Sequence, residues 1–204
     1  MLFRSGEIVL ANGKEPRLLG IDGEYAKKIV DPTIAEFKFF DLEKPIRLNG
    51  KFDLAICLEV AEHLSKGRAS SFVTDLCTSS DVVLFGAAIP GQGGTNHINE
   101  QWQDYWCDLF SGQGYVAVDL LKQKFWNDER FIKCPYYVAN TFLFVKKGHQ
   151  LLSSSLPVIP ADHWSIRVVH PSLFVSTHFD TASLPKTVRS IPQKLFAAVS
   201  RRLR

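Results

Sequence analysis

The fold is constrained most by a series of short apolar runs, each ending in a polar residue or a turn. RLLGI (17–21) runs into Asp22, and EFKFF (36–40) into Asp41. FDLAICL (52–58) runs into Glu59, and DVVLFGA (81–87) into a Gly-Pro-rich loop after Ala88. The segments between them read as helices. Glu24–Val30 is short and is stopped by Asp31-Pro32. Arg68–Ser79 has helical spacing through Phe72, Leu76 and Cys77. Asn99–Phe110 puts Trp102, Tyr105, Trp106 and Leu109 on one face. Tyr115–Leu120 and Tyr137–Val145 read as two later strands. Strands alternating with helices predict an α/β fold of parallel β-α-β units, mostly parallel, with helices on both faces. No long helix separates the last two strands, so they are expected to close the sheet with an antiparallel edge strand. In such sheets ligands bind beyond the carboxyl ends of the strands, where Asp22, Asp41 and Glu59 stand.

Composition narrows the class. A chain of 204 residues with 46% hydrophobic and 22% charged residues is ordinary for a soluble globular protein. A net charge of +3 with no basic stripe across the inferred cleft gives no support for a nucleic-acid partner. No apolar run approaches the roughly 20 residues of a membrane helix, and MLFRSGEIVLANG lacks the apolar core of a signal peptide. Cys57, Cys77, Cys107 and Cys134 form no C-x-x-C pair, and free thiols fit a reducing cytoplasmic setting. Residues 1–150 read as one domain. Residues 151–204, rich in proline and serine, read as an irregular extension with a basic C-terminal tail. That tail, SIPQKLFAAVSRRLR, is either a solvated or docked helix or a contact for an anionic membrane surface or a protein partner.

Asp22 has two readings: it caps the following helix, or its two acceptor oxygens hold ribose hydroxyls. Asp41 likewise caps a loop or lies near an adenine. Taken in order, LLGIDGEY, FKFFDLEKPI, FDLAICLEVAEHL and DVVLFGAAIP resemble the Rossmann-like class I methyltransferases that use S-adenosylmethionine, over about residues 18–147. The resemblance implies that cofactor as ligand, with Gly20, Asp22, Asp41, Leu42, Leu58 and Glu59 lining its site. One departure stands out. The family opens with a central strand and a glycine-rich loop, whereas only Gly6 and Gly13 precede Leu19, and EIVLA (7–11) is a poor substitute. An N-terminally incomplete domain of this kind is expected to leave strand edges unpaired at mid-sheet.

The run Glu59-x-x-Glu62-His63 adds chemistry. A helix starting near Glu59 would place these three residues on one face, and two carboxylates with an imidazole suit a divalent ion such as magnesium or manganese. The spacing resembles two metal-binding methyltransferase groups, the O-methyltransferases of ubiquinone biosynthesis and the small-RNA 2′-O-methyltransferases. The latter add a histidine from the loop after strand five, for which His97 in AAIPGQGGTNHINEQ is the candidate. The resemblance implies Glu59, Glu62, His63 and His97 as metal ligands, with Glu62, His63 and His97 as the catalytic set. The ion lowers the pKa of an acceptor hydroxyl, which then takes the methyl group. Alternatively His63 or His97 serves as a general base without metal, or the acids merely cap a helix. The expected acceptor is a small metabolite or sugar. A reading of another class is a non-catalytic methyltransferase-like binding or scaffold domain. Trp102, Tyr105 and Trp106 read as core, and Trp126, Asn127 and Asp128 as the loop shaping an acceptor pocket. Gly91–Gly94 reads as a flexible lid, since it lacks the Lys-Ser/Thr of a phosphate loop.

Overall fold

The computed structural model describes residues 17–28, 31, 35–131, 133–153, 155–160 and 166–178. Contacts divide the chain into two units, Met1–Val168 and Val169–Arg204. Among the described residues the first holds six strands: β1 (Leu19–Asp22), β2 (Glu36–Phe39), β3 (Ala55–Leu58), β4 (Val82–Gly86), β5 (Tyr115–Val118) and β6 (Phe142–Lys146). It also holds helices α1 (Ala69–Ser79), α2 (Gln103–Gly112), α3 (Leu121–Phe125) and α4 (Tyr136–Ala139). The second unit contributes α5 (Pro171–His178), where His170 Nδ1 accepts the Ser172 amide hydrogen at 3.2 Å. The EIVLA segment and the basic tail lie outside the described residues.

β1 and β2 pair in parallel as a two-stranded sheet, and the other four strands form a mixed sheet in the order β3-β4-β6-β5. β3 and β4 run parallel, while β6 is antiparallel to both β4 and β5. The antiparallel strand is therefore inserted one position in from the edge. Among the described residues no ladder joins β1 to β3, although the Arg17 guanidinium sits 6.0 Å from the Phe52 ring centroid where the two sheets begin.

Strict alternation on the four-stranded sheet sorts the side chains. Cys57, Val83, Phe85, Tyr115, Ala117, Phe142 and Phe144 face α1 and α2, which contribute Phe72, Val73, Trp106 and Phe110 to the same core. Phe110 and Phe144 stack with centroids 3.8 Å apart. Each such aromatic stabilises the fold by roughly 1.5–3 kcal/mol through burial. Val82, Val118 and Val145 face the other way, against Leu120, Leu143, Leu152 and Leu156. The crossovers β3-α1-β4 and β4-α2-β5 both step in the same direction across the sheet. The right-handed rule therefore puts both helices on one face. On the other face the sheet packs against Leu152, in a 3-10 turn over Gln150–Ser153, and Leu156, and Ile56 is 41% exposed.

Two local expectations change. Tyr137–Val145 is not one strand: Pro135 starts a helical turn, with the Val138 and Ala139 amides donating to its carbonyl, and β6 begins only at Phe142. α2 starts at Gln103, not Asn99, because the backbone of 98–101 is engaged elsewhere. Its buried face is consequently Gln103, Trp106, Cys107 and Phe110, with Trp102 at the helix entrance. All four cysteines are free, and Cys57, Cys77 and Cys107 are buried. Among the described residues no helix is long and apolar enough to cross a membrane.

Candidate functional site

The carboxyl ends of β3 and β4 build the site. The Glu59 amide donates to the Gly86 carbonyl at 2.9 Å, one step beyond the β3–β4 ladder. Glu59 then adopts φ +53°, a left-handed conformation rare outside glycine. That turn ends the strand and excludes a helix starting at Glu59. Only Ala61–His63 forms a turn of 3-10 helix, so the expected common helical face of Glu59, Glu62 and His63 does not exist. Glu59 instead points to the loop after β4, where its Oε2 accepts from Gln92 Nε2 at 2.8 Å.

Glu62, His63 and His97 come together by tertiary contact. Their ligating atoms all lie within 4.8 Å of one another. The chain from Asn96 to Asn99 is pinned to this turn, because the amides of Ile98 and Asn99 both donate to the Glu62 carbonyl at 2.9 and 3.0 Å. His63 Nδ1 is 3.3 Å from the Asn96 carbonyl, and the two imidazoles meet edge to face with centroids 4.8 Å apart. His97 Nε2 lies 4.0 Å from Glu62 Oε1.

Glu62 is the unusual member. Its side chain is 0% exposed, and neither carboxylate oxygen has a hydrogen-bond partner among the described residues. Burial, reinforced by the charge of Glu59, pushes its pKa up to about 8, and the nearby backbone amides of Glu62 and Ala88 offset only part of this. A buried carboxylate without partners is costly unless a proton or a cation compensates it. Burial also raises Glu59, although the Gln92 hydrogen bond opposes it. Desolvation lowers His63; the Asn96 carbonyl opposes that and the charge of His97 adds to it. A buried carboxylate with two imidazoles, His63 at the solvent edge, is a donor set that fits a divalent ion with an open side. Glu59 is not one of the three.

The other expected site residues are spread along the neighbouring strand ends. Asp22 and Asp41 stand at adjacent carboxyl ends, joined by the Phe40 amide donating to the Asp22 carbonyl at 2.8 Å. Asp22 Oδ1 accepts from the Gly23 amide at 2.7 Å and from the Tyr25 hydroxyl at 2.5 Å. Burial would raise the Asp22 carboxyl, but these two hydrogen bonds outweigh it and hold it below its ordinary value. Asp41 Oδ1 accepts from the Glu43 amide at 3.1 Å, the loop-cap geometry. Gly20 leaves room for the Phe37 ring, whose atoms would lie 2.3 Å from any Cβ placed there. Leu42 packs on the core and its carbonyl accepts from buried Arg68 at 2.9 Å. Leu58 ends β3 opposite Gly86.

Several polar residues of the site carried no recognised signal in the sequence. Glu100 binds the Gly91 and Gly93 amides and His97, so Gly91–Gly94 is a tethered loop and not a free lid. Gln92 Oε1 accepts from Asn140 Nδ2 at 2.8 Å, and Asn140 Oδ1 accepts from Gln103 at 3.3 Å. This amide chain runs from Glu59 to α2. Tyr136 and Tyr137 are raised by burial, and the charge of Glu59 acts on both. Tyr137 and Asn140 were hidden inside an apolar run that reads as strand, and Tyr136 directly precedes it.

No family model matches the chain, and no curated protein matches it. Solved structures that match part of this chain include LepI in complex with SAM, at 11% identity and a TM-score of 0.44, covering 67% of this chain. Human N-acetylserotonin methyltransferase in complex with SAM matches at 13% identity and a TM-score of 0.41 over 64% of this chain. Magnesium protoporphyrin IX methyltransferase from Synechocystis PCC 6803 with bound SAH matches at 17% identity and a TM-score of 0.33 over 55%. The chain spans 38%, 40% and 51% of the lengths of these three proteins, in that order.

Proposed function

We propose that the protein is an S-adenosylmethionine-dependent methyltransferase acting on a hydroxyl of a small metabolite or sugar, assisted by a divalent ion. The observation carrying this reading is Glu62, a fully buried carboxylate with no hydrogen-bond partner among the described residues, facing His63 and His97 beyond the ends of two parallel strands. Glu62, His63 and His97 would hold the ion, which polarises the acceptor hydroxyl, while the cofactor supplies the methyl group. Asp22, at the carboxyl end of β1 and with two acceptor oxygens to offer, suits the ribose hydroxyls. Glu59, held by Gln92, stands at the β3 end next to the Glu62 turn. Without an ion, His63, at the solvent edge with its pKa lowered, would instead accept the hydroxyl proton.

The experiment is calorimetry of S-adenosylmethionine binding, with manganese titrated separately. Binding of the cofactor, weakened by Asp22→Ala, and a manganese-dependent rise in melting temperature lost in Glu62→Ala, are the expected results. Failure to bind the cofactor in the presence or absence of manganese sinks the enzyme reading. One observation favours a non-catalytic methyltransferase-like module instead: Asp22 Oδ1 is already engaged by Gly23 and Tyr25. That reading predicts that Tyr25→Phe leaves cofactor binding absent.

A further inference from the structure

We infer that Glu100 is the positioning residue of the site: its carboxylate fixes both the tautomer and the place of His97. This rests on the reading of Glu62, His63 and His97 as one working cluster. Glu100 Oε2 accepts from the Gly91 amide at 2.8 Å, and Oε1 accepts from the Gly93 amide at 3.0 Å. Backbone amides are obligate donors, so both oxygens act as acceptors. The third contact, His97 Nδ1 to Glu100 Oε1 at 3.0 Å, therefore takes its hydrogen from the imidazole. With Nδ1 protonated, the lone pair of neutral His97 sits on Nε2, the atom that lies 4.0 Å from Glu62 Oε1. A carboxylate behind the remote nitrogen is the arrangement that orients metal-ligating imidazoles and raises their basicity.

The same carboxylate sets where the ring stands. It closes the loop from Gly91 to Glu100 on itself, and His97 rides on that loop. Gly94, at φ +153°, clears the space for the ring: a Cβ there would fall 2.4 Å from His97 Nε2. One side chain thus couples the glycine loop to the nitrogen that the cluster uses. Without it, two amides and Nδ1 lose their acceptor together, and nothing holds the Nδ1–H form over Nε2–H.

The test is made first on metal-free protein, so it does not depend on an ion or on turnover. Long-range proton–nitrogen spectra of 15N-histidine-labelled protein in EDTA at pH 8 report the tautomer, with His97→Gln identifying the resonance. Wild type is expected to show His97 as Nδ1–H, and Glu100→Ala to show Nε2–H or a mixture. Manganese affinity, read by electron paramagnetic resonance, is expected to fall about 10–100-fold in Glu100→Ala. An Nε2–H form in wild type overturns the inference, as does an Nδ1–H form unchanged in Glu100→Ala. Unaltered manganese affinity in that variant also overturns it. Should Glu100→Ala fail to fold, the wild-type tautomer decides alone. A wild type that binds no manganese refutes the metal reading of the site, while the tautomer spectra still decide the role of Glu100.

Discussion

Replacing Glu62 by glutamine tests the electrostatics of the site directly. Burial and the charge of Glu59 raise the Glu62 pKa from its ordinary 4.5 to about 8 in the folded protein. Between those values the folded protein keeps a proton that the unfolded chain has released. Stability therefore falls as pH rises, by about 1.4 kcal/mol per pH unit for one such group. From pH 5 to pH 8 the loss assignable to Glu62 is on the order of 3–4 kcal/mol; Glu59, also raised, titrates with the same sign. Glutamine keeps the volume and never ionises. It adds a buried amide whose cost, roughly 1–3 kcal/mol, does not depend on pH. The diagnostic quantity is the slope, not the absolute stability. Urea unfolding in EDTA at pH 5, 6.5 and 8 should show wild type losing on the order of 3–4 kcal/mol more than Glu62→Gln over that range. Manganese at pH 8 should restore wild type, by about 2.7 kcal/mol at 100 times its dissociation constant, and leave Glu62→Gln unmoved. Equal pH slopes in the two proteins would refute the assignment of a buried, raised carboxyl to this position.

Other substitutions probe the supports of the site. Gly94→Ala places a Cβ 2.4 Å from His97 Nε2 at a φ that L residues rarely adopt; it should cost about 1 kcal/mol or more and abolish the manganese shift in a thermal melt. Gly86→Ala crowds the Thr141 hydroxyl at 2.5 Å and its Cα at 3.3 Å, so the urea midpoint should drop by the equivalent of about 1–3 kcal/mol; an unchanged midpoint contradicts the packing. Arg68 is buried, bonds the Leu42 and Lys44 carbonyls and pairs with Asp75. Arg68→Leu should cost about 3–5 kcal/mol by leaving Asp75 uncompensated. It should also speed hydrogen exchange at the Ile46 amide, which donates to Asp75 at 2.9 Å.

The sequence by itself placed most of the strands and the polar residues at their ends. EFKFF and DVVLFGA read as strands from their short apolar runs, and β2 and β4 fall within them. The positions of Asp22, Asp41 and Glu59 at strand ends followed from the same runs, because hydrophobic period and length are local properties. Glu62 and His63 were legible as candidate ligands from residue type and spacing, and His97 from the family resemblance alone. Their meeting was not, since the sequence pointed to a helix from Glu59 that the structure replaces with a left-handed turn. Only tertiary structure sent Glu59 to Gln92, brought His97 to Glu62, and engaged Glu100 with two glycine amides. It also turned the beginning of the Tyr137–Val145 run into part of the helix Tyr136–Ala139. The physical reason is the same in each case. Apolar periodicity is written along the chain, whereas a polar group finds its partner across space, once folding has excluded the water that would otherwise have served.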